Sequence, residues 1–126
     1  MKKIITTLNA PAPIGPYNQA ILANDTLYLS GQIGLNPLSM EMVEGGVKEE
    51  DEQVMKNLKA VLEAAEMTFN QVVKSSIFLS DMEDFGQVNK VYAAYFNNDS
   101  APARETIAVK TLPKYVKVEI SMIAVK

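Results

Sequence analysis

Residues Ala101–Val125 read APARETIAVKTLPKYVKVEISMIAV. Two apolar-alternating runs lie in this stretch, one over about Glu105–Lys110 and one over Lys117–Val125, with a loop holding Pro113 between them. Val118, Ile120, Met122 and Ala124 occupy one phase of the second run, and Lys117, Glu119 and Ser121 the other. Successive side chains of a strand point to opposite faces, so this period of two predicts two strands. In the first run Ile107 and Val109 form the apolar phase, while Thr106, Ala108 and Lys110 form the other, with Arg104 in step. If the two strands are partners and their apolar phases meet one core, Arg104, Thr106 and Glu119 share the opposite face. Glutamate is depleted in strands, so Glu119 invites a reason beyond solvation. A guanidinium matches a carboxylate with two parallel hydrogen bonds, which makes Arg104 a candidate anion fork as well as an ordinary strand-end charge.

Upstream, ILANDTLYLSGQI reads as a hairpin turning at Asn24-Asp25, with Leu27 and Leu29 on one face. A loop rich in Gly, Pro and Asn follows. From about Lys48 the spacing becomes helical: Val54, Leu58, Val61, Leu62 and Ala65 recur on one face, with Glu52, Lys56, Lys59 and Glu63 opposite. The next strand, Val72–Leu79, is expected to place Val73, Ile77 and Leu79 on one side and Val72 and Phe78 on the other. A second helix carries Phe85, Val88, Tyr92, Tyr95 and Phe96 as its apolar stripe, with Asp84 and Gln87 spaced as a capping box. Counting a weak first strand at Ile4-Ile5, the order is β-β-β-α-β-α-β-β. The fold class is α+β, one domain over residues 1–126, with two helices on one face of a mostly antiparallel six-stranded sheet.

Two helices cover only one side of such a sheet. Ile123, Val125, Phe78 and Val72 are expected on the other, which leaves an apolar surface whose economical cover is another subunit.

Composition narrows the chemistry. The 126 residues are 48% hydrophobic and 21% charged, an ordinary globular balance. No apolar run approaches the roughly 18 residues of a membrane span, so a soluble chain without a membrane partner is expected. MKKIITTLNAPAP has two lysines but no apolar core behind them, so a secretory leader is not expected and the cytoplasm is the expected compartment. With no cysteine and no histidine, thiolate nucleophiles, imidazole bases and imidazole or thiolate zinc sites are excluded. A site must use carboxylates, Tyr, Lys, Arg, hydroxyls or the backbone. A net charge of −3 offers no basic field, so nucleic acid is a disfavoured partner.

Further candidates sit in turns. Tyr17 lies in PIGPYNQA, as a ring over a turn or a hydroxyl offered to a ligand. Gly31 in LSGQIG is a strand-end glycine or a point of close ligand approach. Asn89 in QVNKVY reads as a helix-surface amide. The run Glu49-Glu50-Asp51-Glu52 suits the first turn of a helix, where it complements the dipole, and no metal role is assigned to it.

Taken together, APAPIGPYNQA, LSGQIG, FLSDMEDFGQVNKVYAAYF, PARETIAVKTLP and VKVEISMIAV resemble, in order and along nearly the whole chain, the RidA/YjgF family of reactive enamine/imine deaminases. The resemblance implies a chorismate-mutase-like fold assembled as a homotrimer, with the sheets facing inward as a barrel and a ligand cleft at each subunit interface. It implies that Arg104 binds a substrate carboxylate, that Glu119 activates water, and that Tyr17, Gly31 and Asn89 line the site. The position two after the arginine is often cysteine in the family and is Thr106 here; its role is thought to run through the backbone carbonyl, which threonine preserves. Ser39-Met40 stands where members often have a Thr-Gly turn. The implied substrates are 2-aminoacrylate, 2-aminocrotonate and their imine tautomers, hydrolysed to 2-keto acids and ammonia without metal or organic cofactor. A regulatory module that binds 2-keto acids or amino acids, and an endoribonuclease, are the other activities attached to relatives.

Overall fold

Alternating sequence becomes a single twisted layer. The computed structural model, which describes residues 2–126, contains strands β1 (Lys2–Ile5), β2 (Ala20–Ala23), β3 (Thr26–Gln32), β4 (Val72–Leu79), β5 (Ala103–Ala108) and β6 (Val118–Val125). Helix α1 spans Val47–Ala64 and α2 spans Phe85–Ala93, with three short 3-10 turns beside them. The order of elements is the expected one. All six strands join one sheet in the order β1-β2-β3-β6-β4-β5. Neighbours are antiparallel except β4 and β5, which run parallel. A parallel pair needs a crossover, and α2 supplies it between β4 and β5.

That crossover overturns one expectation. The strands carrying Arg104 and Glu119 are not partners, because β4 lies between them. Along β4 and β5, Ser75 pairs with Arg104 and Ile77 with Thr106. Ser75 and Ile77 are buried beneath the helices, so Arg104 and Thr106 point to the helix side. On β6, Glu119 pairs with Phe78 and points to the other side. The two residues therefore stand on opposite faces. Alternation specified both phases correctly, but β5 is an edge strand whose apolar phase is not its core phase. Ile107 lies on the uncovered face and is 45% exposed.

A second correction concerns β4. The pairing with β6 shifts register between Val72 and Lys74, so Val73 is the extra residue of a bulge. Val72 is consequently buried and Val73 is exposed, the reverse of the expectation from strict alternation. Beyond the bulge, Ile77 and Leu79 face the core as expected.

Both helices lie on one face. Val54, Leu58, Val61 and Leu62 of α1 are fully buried, each worth about 1.5–3 kcal/mol for a side chain of this size. Val88, Val91 and Tyr92 anchor α2. The Asp84–Gln87 capping box does not form. Instead Asp81 accepts a hydrogen bond from Glu83 N at 2.9 Å and starts a 3-10 turn that runs into α2. Tyr95 and Phe96 lie past the helix end and stack around Phe69, with centroid distances of 5.1 and 5.4 Å. The acidic run at the start of α1 divides by position. Glu49 accepts from Gly46 N at 2.7 Å, Glu50 accepts from Lys117 N at 2.9 Å and ties α1 to the start of β6, and Asp51 is fully buried with neither carboxylate oxygen partnered.

The face away from the helices keeps the expected apolar surplus. Ile4, Ile21, Tyr28 and Ile123 form one row across β1, β2, β3 and β6. Val73, Ile107 and Val125 are exposed on the same layer, and Phe78 is half-buried. Among the described residues no helix is long and apolar enough to cross a membrane.

Candidate functional site

Phe85, Asn89 and Tyr92 recur at helical spacing along α2 and form a bed under β5. Arg104 lies on this bed. Its guanidinium carbon is 5.1 Å from the Tyr92 ring centroid and 5.7 Å from that of Phe85, and its Nη1 donates to Asn89 Oδ1 at 2.8 Å. Tyr92 is held in turn: its hydroxyl donates to Ser75 Oγ at 2.9 Å, and Ser75 is the register partner of Arg104. Burial pushes the Tyr92 phenol up, partly offset by Ser75 and by the nearby guanidinium. Arg104 itself remains exposed at the lip of a pocket of about 360 Å³, with Asn97 and Pro102 also on its wall. Thr106, one turn of the pleat further on, has a buried Oγ1 with no partner among the described residues.

Glu119 belongs to a different hollow. A cavity of about 590 Å³ is lined by Tyr17, Ser30, Gly31, Ile33, Lys114 and Glu119, among others. Burial alone pushes the Glu119 carboxyl above the ordinary carboxylate range; no cation or donor opposes it. Gly31 lies directly against it. A Cβ built there would stand 2.8 Å from Glu119 Cδ and 3.0 Å from Cγ, closer than such atoms approach. The register shift between Leu29 and Gln32 places this glycine there. Tyr17 is half exposed on the opposite wall, its hydroxyl accepting from Ile14 N at 3.4 Å across a turn that contains Gly15 at φ 134°.

The candidate residues thus fall into two groups. Arg104, Asn89 and Thr106 stand at the β5–α2 edge, and Glu119, Gly31 and Tyr17 around the cavity beside β3 and β6. Between Arg104 and Glu119 lie two strand spacings, about 10 Å, and three residues along the strand, about 10 Å more, besides the thickness of the sheet. Within one chain they cannot hold the same small molecule.

Several residues that shape these hollows carried no recognised signal in the sequence. Buried Gln19 donates to the carbonyls of Thr7, Ala10 and Pro11 and accepts from Thr7 N, which staples the strap forming one cavity wall. Fully buried Asn57 of α1 donates to the carbonyls of Ile33 and Leu35 and holds the opposite wall. Their signal was available: each is an amide in phase with an apolar pattern, at positions where a polar side chain needs backbone partners. Lys114 on the cavity wall and its neighbour Tyr115 both adopt left-handed backbone, at φ 56° and 55°. The Arg104 bed was legible as an apolar stripe but not as a cation site.

The comparisons with known proteins agree with one another. The sequence profile of the family described as Endoribonuclease L-PSP matches residues 7–126. A mouse protein named 2-iminobutanoate/2-iminopropanoate deaminase is 50% identical over 126 residues, covering 100% of this chain and 93% of its own. A RutC family protein of Pyrococcus horikoshii is 49% identical, covering 100% and 99%. Among solved structures, a putative endoribonuclease from Thermotoga maritima superposes with a TM-score of 0.96 at 44% identity, over 100% of this chain and 98% of that one.

Proposed function

The chain belongs to the Endoribonuclease L-PSP family, the RidA/YjgF proteins, and from that premise we propose that it is a 2-iminobutanoate/2-iminopropanoate deaminase whose sites form between copies of a homotrimer. The observation that carries the reading is the division of the candidate residues between two faces. A carboxylate fork at an exposed sheet edge and an unpaired carboxylate in a cavity on the opposite face are complementary halves. The edge strand β5 of one copy brings Arg104 to the cavity of the next. The same contact covers the apolar row of the open face and the unpaired edge of β5, which would otherwise be a liability.

The substrate is an imine with a carboxylate beside the C=N carbon. Arg104 binds the carboxylate bidentately and draws electron density from the neighbouring carbon. Glu119 takes a proton from water as the oxygen attacks that carbon of the protonated imine, giving a neutral carbinolamine. The same carboxyl then returns the proton to nitrogen, and as the C–N bond breaks it takes up the hydroxyl proton, so that the 2-keto acid and ammonia leave. The backbone carbonyl at Thr106 accepts a hydrogen bond from the imine nitrogen, while Tyr17 and Gly31 wall the site. Raised basicity suits Glu119 to this task, and its cause is burial. The chemistry is undemanding, because such imines hydrolyse unaided in water. The ribonuclease reading carried in the family's description is weakened by a net charge of −3 and the absence of histidine.

The test couples purified protein to a threonine dehydratase and follows keto-acid formation. Acceleration over the dehydratase alone is expected. Arg104→Lys should lose roughly ten- to a hundredfold, because an ammonium presents no planar fork. No acceleration by the wild type would refute the deaminase reading, and full activity in the lysine variant would return Arg104 to a surface charge.

A further inference from the structure

Resting on the deaminase reading, we propose that Phe85 and Tyr92 are positioning residues: their rings form a cation–π cradle that holds the Arg104 guanidinium ready for carboxylate before any ligand arrives. Arginine has a long, rotamer-rich side chain, and a fork that must be ordered at each binding event loses affinity to that ordering. Here the ordering is built into the free protein. Two rings lie within 6 Å of the guanidinium carbon, at 5.7 and 5.1 Å, inside the range where a cation is attracted to an aromatic face. Asn89 Oδ1 takes a hydrogen bond from Nη1 and sets rotation about the last bond, which leaves other N–H groups free for a ligand.

The cradle is itself anchored to the strand pair it serves. Tyr92 is buried at 5% exposure, and its hydroxyl donates to fully buried Ser75, which stands opposite Arg104 on β4. The chain of contacts closes a ring: Ser75 to Tyr92, Tyr92 to Arg104, and Arg104 back to Ser75 through the sheet. Phe85, Asn89 and Tyr92 share one helical stripe, so a rigid element presents all three to the arginine. Asn89, implied as a ligand-binding residue, already spends its acceptor on Arg104 and belongs to the same device.

The test has a readout that needs no substrate. Arg104 side-chain resonances, assigned from their loss in Arg104→Lys, should be shifted upfield by the two rings in the free wild type. Tyr92→Leu should move them toward solvent values and raise KM for the imine about 2- to 30-fold, with kcat changing much less. Tyr92→Phe keeps the ring and loses only the bond to Ser75, so both the shift and KM should stay near wild type. Phe85→Leu, at a half-buried site, gives a smaller change in the same direction and serves if Tyr92→Leu does not fold. Unchanged shift and unchanged KM in a folded leucine variant, with Arg104→Lys still impaired, would overturn the cradle alone. A wild type that neither turns over imine nor binds keto acid would bring down the deaminase reading and this proposal with it.

Discussion

The two faces of the sheet are woven from the same strands yet treat polar groups differently. On the helix side, most buried polar side chains find partners, Ser75 with Tyr92, Asn57 with two carbonyls and Glu50 with Lys117 N, while Asp51 and Thr106 Oγ1 do not. Arg104 at that side's edge is likewise bedded on rings and bonded to Asn89. On the open side, Glu119 is half-buried without compensation, while Ile4, Tyr28 and Ile107 stand in the open. The covered face is packed within one chain, and the open face is left with exposed apolar side chains. Under the proposed assembly this is a stable fold that carries a half-built site, with the uncompensated Glu119 on the face that a second copy would cover.

The strongest way to break this contrast is to charge the open face. Ile123→Glu changes a half-buried residue at the β6 end of the apolar row and leaves the helix-side core untouched. Burying an unpaired charge in an interface costs several kcal/mol, enough to prevent assembly. Light scattering should then give a single-chain mass with native circular dichroism, and imine hydrolysis should fall to the uncatalysed rate. Full turnover by a monomeric variant would show that one chain suffices, and the composite site would be wrong.

Next in size is Glu119→Gln. Glutamine keeps the shape but accepts no proton at neutral pH, so kcat should fall about 10²–10⁴-fold while keto-acid affinity changes little. The pH profile sharpens the point. Because burial raises the Glu119 pKa, activity should fall on acidification through a limb lying above the ordinary carboxylate value, and the glutamine variant should lack that limb. A limb at the ordinary carboxylate pKa, or one that survives in the variant, would assign the base elsewhere.

How much of this the sequence showed depends on whether a pattern was local. Element order, the α1 stripe, the α2 stripe as far as Tyr92 and the phases of β6 follow from period alone, and so does the surplus on the open face, while Tyr95 and Phe96 fall beyond the helix. Partner choice does not. Nothing in residues 101–125 states that β4 inserts between β5 and β6, so Arg104 and Glu119 were placed on one face when they stand on two. The bulge at Val73 is invisible for a related reason, since one extra residue in an apolar run leaves no mark on composition. The identities of the candidate residues came from ordered motifs that resemble a family, while their separation into two hollows came only with the register.

A milder perturbation probes the open side without touching an ionisable group. Gly31→Ala places a methyl where Glu119 Cδ and Cγ now lie, at 2.8 and 3.0 Å. The obstructing atoms are the end of a flexible side chain, so the fold should survive and the carboxylate should swing aside. Misplacing a catalytic group by about 1 Å is costly, and a loss in kcat of roughly tenfold or more is expected with melting temperature nearly unchanged. Equal loss of stability and rate would mean that the glycine serves the backbone rather than the carboxylate.

The smallest effect on turnover, and the sharpest exception on the covered face, belongs to Asp51. It is fully buried with both oxygens unpartnered, and burial first, then neighbouring Glu52, push its pKa up to about 7. Tyr95 faces it as well, its phenol raised by burial and by the two carboxylates. The sign follows from linkage. A carboxyl that titrates near 7 when folded but near 3.8 when unfolded keeps its proton in the fold while the unfolded chain releases it. Stability should therefore fall as pH rises between about 4 and 7, by an amount on the order of a few kcal/mol, and then level off. Asp51→Asn removes the titration but keeps the shape. At pH 3.5, below the window, the variant should match the wild type, and at pH 8 it should melt several degrees higher at the same protein concentration, with imine hydrolysis at neutral pH unchanged. A stability difference that is the same at both pH values would show that Asp51 finds a partner in the assembled protein.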